Sequence, residues 1–270
     1  MREYLTYQQI SFDAIHIPPG RPCEARFFEA SPYPYMDGST RVTEFDEKLI
    51  VRWLMFYPEP RKLILQGLRL PATAFYCPEV VSPFYAPSEG DLDLVLCPPL
   101  SPHEALALEC KRVKVVSVNA DQDKITKLQG IGGGVCQANR LYNGRHAFFQ
   151  TYLVIITEVE ASGQDERNIP SRGLRSHTTP QRGGDTMTTT FKQIVEFPGR
   201  AELLDDIGIV HIEVVQPSRL SVYTQASVAV CVFRHAKPRD QRNDVTKRIR
   251  EIMQSDAQWL APARNPIVSH

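Results

Sequence analysis

The sequence predicts an α/β fold, and three observations predict it. From Thr40 to Phe56 apolar residues recur at helical spacing, with Val42, Phe45, Leu49, Trp53 and Phe56 on one face. Two apolar runs follow, Leu92–Cys97 and Ala105–Val118, separated by Pro98-Pro99-Leu100-Ser101-Pro102, which can continue neither. A helical pattern from Asp121 to Tyr142 then leads into Thr151–Thr157, a run apolar enough for a strand buried on both faces.

The other segments read in order. Residues 1–40, rich in proline and aromatics (Pro18-Pro19, Pro22, Tyr33-Pro34-Tyr35), read as irregular structure or an edge hairpin. Residues 62–85 alternate short apolar runs with Pro71, Pro78 and Pro83, which suggests broken strands. A polar stretch at 160–186 reads as a long loop or insertion carrying Arg167, Arg172, Arg175 and Arg182. Beyond it, within about 191–255, Ala201–Asp206 reads as a short helix, Gly208–Val215 and Ala226–Arg234 as strands, and Asp240–Met253 as a basic helix. No repeat or linker divides the 270 residues, so one domain is expected over 1–270.

Lys+Arg and Asp+Glu are equal at 31 each, so any nucleic-acid role must rest on a local patch and not on net charge. The six cysteines are scattered without a C-x-x-C pair, which argues against a disulfide framework or zinc site. Arg2, Glu3 and Gln8-Gln9 stand where a signal peptide has its apolar core, and no segment has bilayer-spanning length; a cytoplasmic protein is expected.

The chemistry concentrates in Gly90-Asp91-Leu92-Asp93-Leu94-Val95-Leu96 and in Glu109-Cys110-Lys111, whose glutamate lies sixteen positions after Asp93. Side chains alternate across a strand, so Glu109 and Lys111 share a face if 105–116 is extended. Two carboxylates and an ammonium at one sheet edge could hold a divalent metal and polarise a water for phosphodiester cleavage. A solvated ion pair is the ordinary alternative, but Leu106, Leu108, Val113, Val115 and Val116 make the run too apolar for an exposed edge. The other acid-x-Lys triplet, Asp46-Glu47-Lys48, lies on a helical pattern, where positions two apart diverge.

A helix with Glu47, a strand with Asp93, a strand with Glu109-x-Lys111 and a further helix together resemble the PD-(D/E)XK nuclease superfamily, over about residues 42–157. The Gly90–Val95 and Leu106–Lys111 segments are most similar, and Glu47–Leu54 resembles its first helix; no proline directly precedes Asp93. The resemblance implies a mixed central sheet flanked by helices, with an α-β-β-β-α-β core and C-terminal additions. It implies that Asp93 and Glu109, with a backbone carbonyl such as that of Cys110, ligate Mg²⁺ or Mn²⁺. Lys111 would orient or help deprotonate the attacking water and offset charge on the transition state. Glu47 would supply an outer carboxylate, with Asp46 as a competitor; Asp91 could replace Asp93. In-line attack would leave a 5′-phosphate.

Lys124–Tyr142 carries Gly130, Gly132, Gly133 and Gly134, and each mid-helix glycine costs roughly 1 kcal/mol against alanine. Close approach of another backbone or of nucleic acid, or tight packing on the sheet, would each account for them. The spacing fits neither the dinucleotide fingerprint nor the P-loop. The resemblance makes Gln137 a candidate facing the active site. Lys127, Arg140, Arg172, Arg175, Lys247 and Arg248 are candidate nucleic-acid contacts, although a run such as 234–250 is also an ordinary solvated face. The seven histidines show no ligand spacing.

The expected function is a metal-dependent nuclease acting on DNA, as an oligomer or as the effector of a restriction, antiviral-defence or repair complex. The rivals are a non-catalytic nucleic-acid-binding or scaffold protein with the same fold, and an RNA nuclease.

Overall fold

Fourteen residues of strand, Leu106–Asn119 (β4), organise the molecule, because β4 borders three other strands. The structure is a computed structural model that describes residues 7–15, 47–80, 92–119, 122–144, 146–160, 193–216 and 223–254. Its strands are β1 (Gln8–Ile15), β2 (Phe75–Val80), β3 (Leu92–Cys97), β4, β5 (Gln122–Thr126), β6 (Gln150–Glu160), β7 (Gly208–Gln216) and β8 (Tyr223–Arg234). Its helices are α1 (Glu47–Phe56), α2 (Pro58–Gly67), α3 (Gly130–Asn143) and α4 (Asn243–Gln254).

One mixed sheet of eight strands runs β1-β8-β7-β6-β4-β3-β2, with β5 also paired to β4. β4, β6 and β7 are parallel and central; the outer pairings are antiparallel. The chain is therefore α/β with helices on both sheet faces. Alternation along the strands sends Leu94, Leu108, Cys110, Val154 and Ile212 to a core under α1 and α2, built with Ile50, Leu54, Ile64 and Leu65. The opposite face carries Val113, Leu153, Ile155 and Ile209 against Ile131, Val135 and Ala138 of α3. Val95, Cys97 and Ala107 on that face meet Leu141 of α3 and Val245 and Ile249 of α4. Cys77, Cys97, Cys110 and Cys231 are buried free thiols filling core positions.

Several elements differ from the sequence reading. Residues 58–67 form a helix, not the start of broken strands: Pro58 sits in its first turn, where a missing N–H costs nothing. Residues 122–126 are a strand folded back on β4 across an irregularity at Ser117/Asn119, with Ile125 buried. The glycines of α3 therefore fall in its first turns and not in its middle. Residues 8–15 form a full edge strand paired antiparallel with β8, where Gln8 meets Val230, 222 positions further along the chain. Ala201–Asp206 reduces to a 3₁₀ turn at Arg200–Glu202. Val42, Phe45, Asp46 and Asp91, and the 160–186 insertion apart from Glu160, lie outside the described residues. Among the described residues no helix is long and apolar enough to cross a membrane.

Candidate functional site

The site forms where the sheet parts. β4 pairs with β3 over Leu106–Leu108 and with β5 only from Lys114 onward, so among the described residues no strand pairs with 109–113 on that side. On the other side β4 stays paired to β6 throughout this stretch. Two main-chain N–H groups on the open side find carboxylates in place of a strand. Cys110 N donates to Asp93 Oδ2 at 2.7 Å, and Arg112 N donates to Glu47 Oε2 at 2.9 Å. Buried main-chain donors must be satisfied, and here acidic side chains satisfy them.

Continuing the β3–β4 register (Leu94↔Leu108) by one step sets Asp93 opposite Glu109. Strand alternation then leaves Asp93, Glu109 and Lys111 on one face. Lys111 Nζ lies 2.8 Å from Glu109 Oε1 and 2.9 Å from Glu47 Oε1. Glu109 Oε1 is buried, and this ammonium forms a close ion pair with it. The thiol of Cys110 points into the opposite core, so only its main chain borders the site.

The electrostatics follow from the crowding of acids away from water. Burial raises the Glu109 carboxyl to about 8; the charge of Asp93 adds to this, and Lys111 only partly offsets it. Burial likewise raises Asp93 to about 6, against the lowering effect of Lys111 and of the Cys110 N–H. Burial acts to discharge Lys111, but Glu109, Asp93 and Glu47 outweigh it and hold the ammonium above its ordinary range. Lys111 is therefore a fixed positive charge, not a base, in this arrangement.

Among the described residues no three His, Cys, Asp or Glu side chains converge closely enough to hold a metal ion. In donor chemistry the residues nonetheless fit a hard divalent cation: the buried carboxylate of Glu109 faces the half-buried carboxylate of Asp93. Here the lysine ammonium takes the position of positive charge between Glu47 and Glu109.

The remaining candidates are placed as follows. Gln137 is half-buried on α3, one turn after Gly134, which borders Lys111, and one turn before Leu141, which packs in one cluster with Ala107. Lys127 is exposed just before α3, and Arg140 is exposed in its last turn. Lys247 is exposed, and Arg248 pairs with Glu251 at 3.0 Å. Arg172 and Arg175 lie outside the described residues.

Two groups escaped the sequence reading. Arg112, directly after Lys111, faces the other way and pairs with buried Glu158 at 2.6 Å, tying β4 to β6 beside the gap. His211 is fully buried, with Tyr7 Oη at 2.6 Å from Nδ1 and Thr157 Oγ1 at 2.8 Å from Nε2. The signal available was a histidine and Glu213 alternating with Val210, Ile212 and Val214 in a strand buried on both faces.

Fold and geometry together define an α/β protein with a part-buried acid–lysine cluster where the described strand pairing of its mixed sheet breaks. Against protein-family models, curated proteins and solved structures, the chain has no match.

Proposed function

We propose that this protein is a metal-dependent phosphodiesterase acting on nucleic acid, with DNA the favoured substrate and a reducing cytoplasm its setting. One observation carries the reading: Asp93 and Glu109 stand opposite each other at the sheet gap, with the Lys111 ammonium 2.8 Å from Glu109. The similarity of the Asp93 and Glu109-x-Lys111 strands to the PD-(D/E)XK superfamily supports it.

Asp93 and Glu109, with the carbonyl of Cys110, would hold Mg²⁺ or Mn²⁺. Such an ion, when bound, acidifies a water and polarises a phosphoryl oxygen. The chain's own residues do the rest. Lys111, held charged by its acidic neighbours, sets positive charge where the phosphorane-like transition state gathers negative charge. Glu47 holds that ammonium from α1, and Gln137, on α3 one turn after the Gly134 that borders Lys111, would orient water or phosphate. Water attacking in line would release a 5′-phosphate.

One observation favours the non-catalytic alternative: among the described residues no three potential ligands converge, and the lysine is engaged by two carboxylates. A cleavage assay separates the readings. Double-stranded DNA, single-stranded DNA and RNA are incubated with Mn²⁺ or Mg²⁺ and wild-type protein, Lys111→Ala or Glu109→Ala. Cleavage by the wild type alone is expected; equal product from all three proteins rejects catalysis at this site. Preference for RNA would change the substrate, not the site.

A further inference from the structure

Lys111 has a long stem and a charged tip, and the structure constrains both. The stem runs beneath α3 at Gly134, which is buried. A methyl group on Gly134 would collide with Cγ of Lys111 and lie 3.0 and 3.1 Å from its Cε and Cδ. Bare helix backbone therefore borders the stem along most of its length. The neighbouring glycines differ: Gly130 and Gly133 have nothing within 4 Å of such a methyl, and Gly132 meets only Pro198 O at 3.8 Å.

At the tip, Glu47 engages both of its oxygens, one on Lys111 Nζ at 2.9 Å and the other on Arg112 N at 2.9 Å. The main-chain bond fixes the carboxylate, and the fixed carboxylate holds the ammonium. Arg112 is itself tied to Glu158 of β6, so the anchor is part of the central sheet.

We infer that Gly134 and Glu47 are positioning residues that jointly seat Lys111, the glycine by leaving room for one path of the stem and the glutamate by holding the tip. The seat is a structural claim; only its consequence for turnover rests on the phosphodiesterase reading. A lysine loses considerable rotamer freedom when ordered, so a site that pre-forms its geometry lowers the cost of meeting the transition state. Glu47 acts here through the lysine and not as a ligand in its own right.

The test reads the lysine directly. Full-length wild type, Gly134→Ala, Glu47→Gln and Gly133→Ala are acetylated with limiting acetic anhydride. Mass spectrometry measures Lys111 against the exposed Lys62, and cooperative thermal unfolding certifies each fold. Lys111 is expected to label slowly in wild type and Gly133→Ala, and several-fold faster in Gly134→Ala and Glu47→Gln. In parallel cleavage assays with Mn²⁺, kcat falls in the two seat variants while KM holds, and Gly133→Ala keeps wild-type turnover. Lys111 labelling at the wild-type rate in both folded seat variants overturns the proposal. Should Gly134→Ala not fold, Glu47→Gln decides alone, and wild-type labelling in it overturns the seat. Faster labelling in a protein whose wild type cleaves nothing supports the seat and rejects the phosphodiesterase.

Discussion

At the scale of single residues, Glu109 is the costliest side chain in the site. Its carboxyl is buried, faces Asp93 and depends on Lys111 for compensation. Replacing it with the neutral isostere in Glu109→Gln is expected to stabilise the metal-free protein by about 1 kcal/mol, because Asp93 and Glu47 still balance Lys111. Urea unfolding at slightly alkaline pH, with chelator present, checks this; a lower midpoint than wild type contradicts it. His211 makes a second residue-scale prediction. Burial lowers its imidazole from 6.5 to about 3, so on acidification the unfolded chain takes up a proton well before the folded one does. The unfolded state then binds more protons, so stability is full above pH 6.5 and falls as pH drops toward 3, by up to about 1.4 kcal/mol per unit. The slope of unfolding free energy across that window should flatten in His211→Gln; an unchanged slope would place the acid sensitivity elsewhere.

At the scale of elements, α4 is held by the extended segment before it as much as by its own apolar face. Gln241 accepts from Ala105 N at 2.9 Å and donates to Pro102 O and Thr246 Oγ1, each at 2.9 Å. Arg239 donates to Tyr142 O and Phe148 O beneath it, capping the end of α3. Gln241→Ala is expected to cost about 2–3 kcal/mol and to speed amide hydrogen exchange in 243–254 more than in α1. Uniform acceleration over the molecule would contradict a local latch. Elements also show how far periodicity reaches. β3 was legible residue for residue, since a short buried run between prolines allows few other readings. β5 was not, because Gln122–Thr126 is polar apart from Ile125 and is a strand only by virtue of β4 beside it. α2 was hidden by Pro58 and Pro60, which break a helix in its middle but fit its first turn.

At the scale of the whole molecule, the gap in the sheet joins the fold to the proposed chemistry. Two carboxylates from separate elements, α1 and β3, reach the same strand because β3 ends early and β5 begins late. A cation that engages Asp93 and Glu109 would bind the folded chain alone. Adding Mn²⁺ should then stabilise the wild type by about 2.7 kcal/mol at a hundredfold excess over its dissociation constant. Chelator should reverse the shift, and Asp93→Asn and Glu109→Gln should abolish it. A shift of the same size in all three proteins would place the ion at another site.

By itself the sequence determined the class, the identities of the acids and the lysine, and the face that Glu109 and Lys111 share, because alternation along a strand is a local property of the backbone. The side on which Asp93 joins them came from the β3–β4 register. Only the tertiary structure decided that β3 stops beside Glu109, that Glu47 crosses to Lys111 and Arg112, and that Gly134 lies on the lysine stem. Those contacts join residues far apart in the chain, and they depend on which strands pair and where the pairing ends. That choice is made by the packing of the whole core, on which local periodicity carries no information.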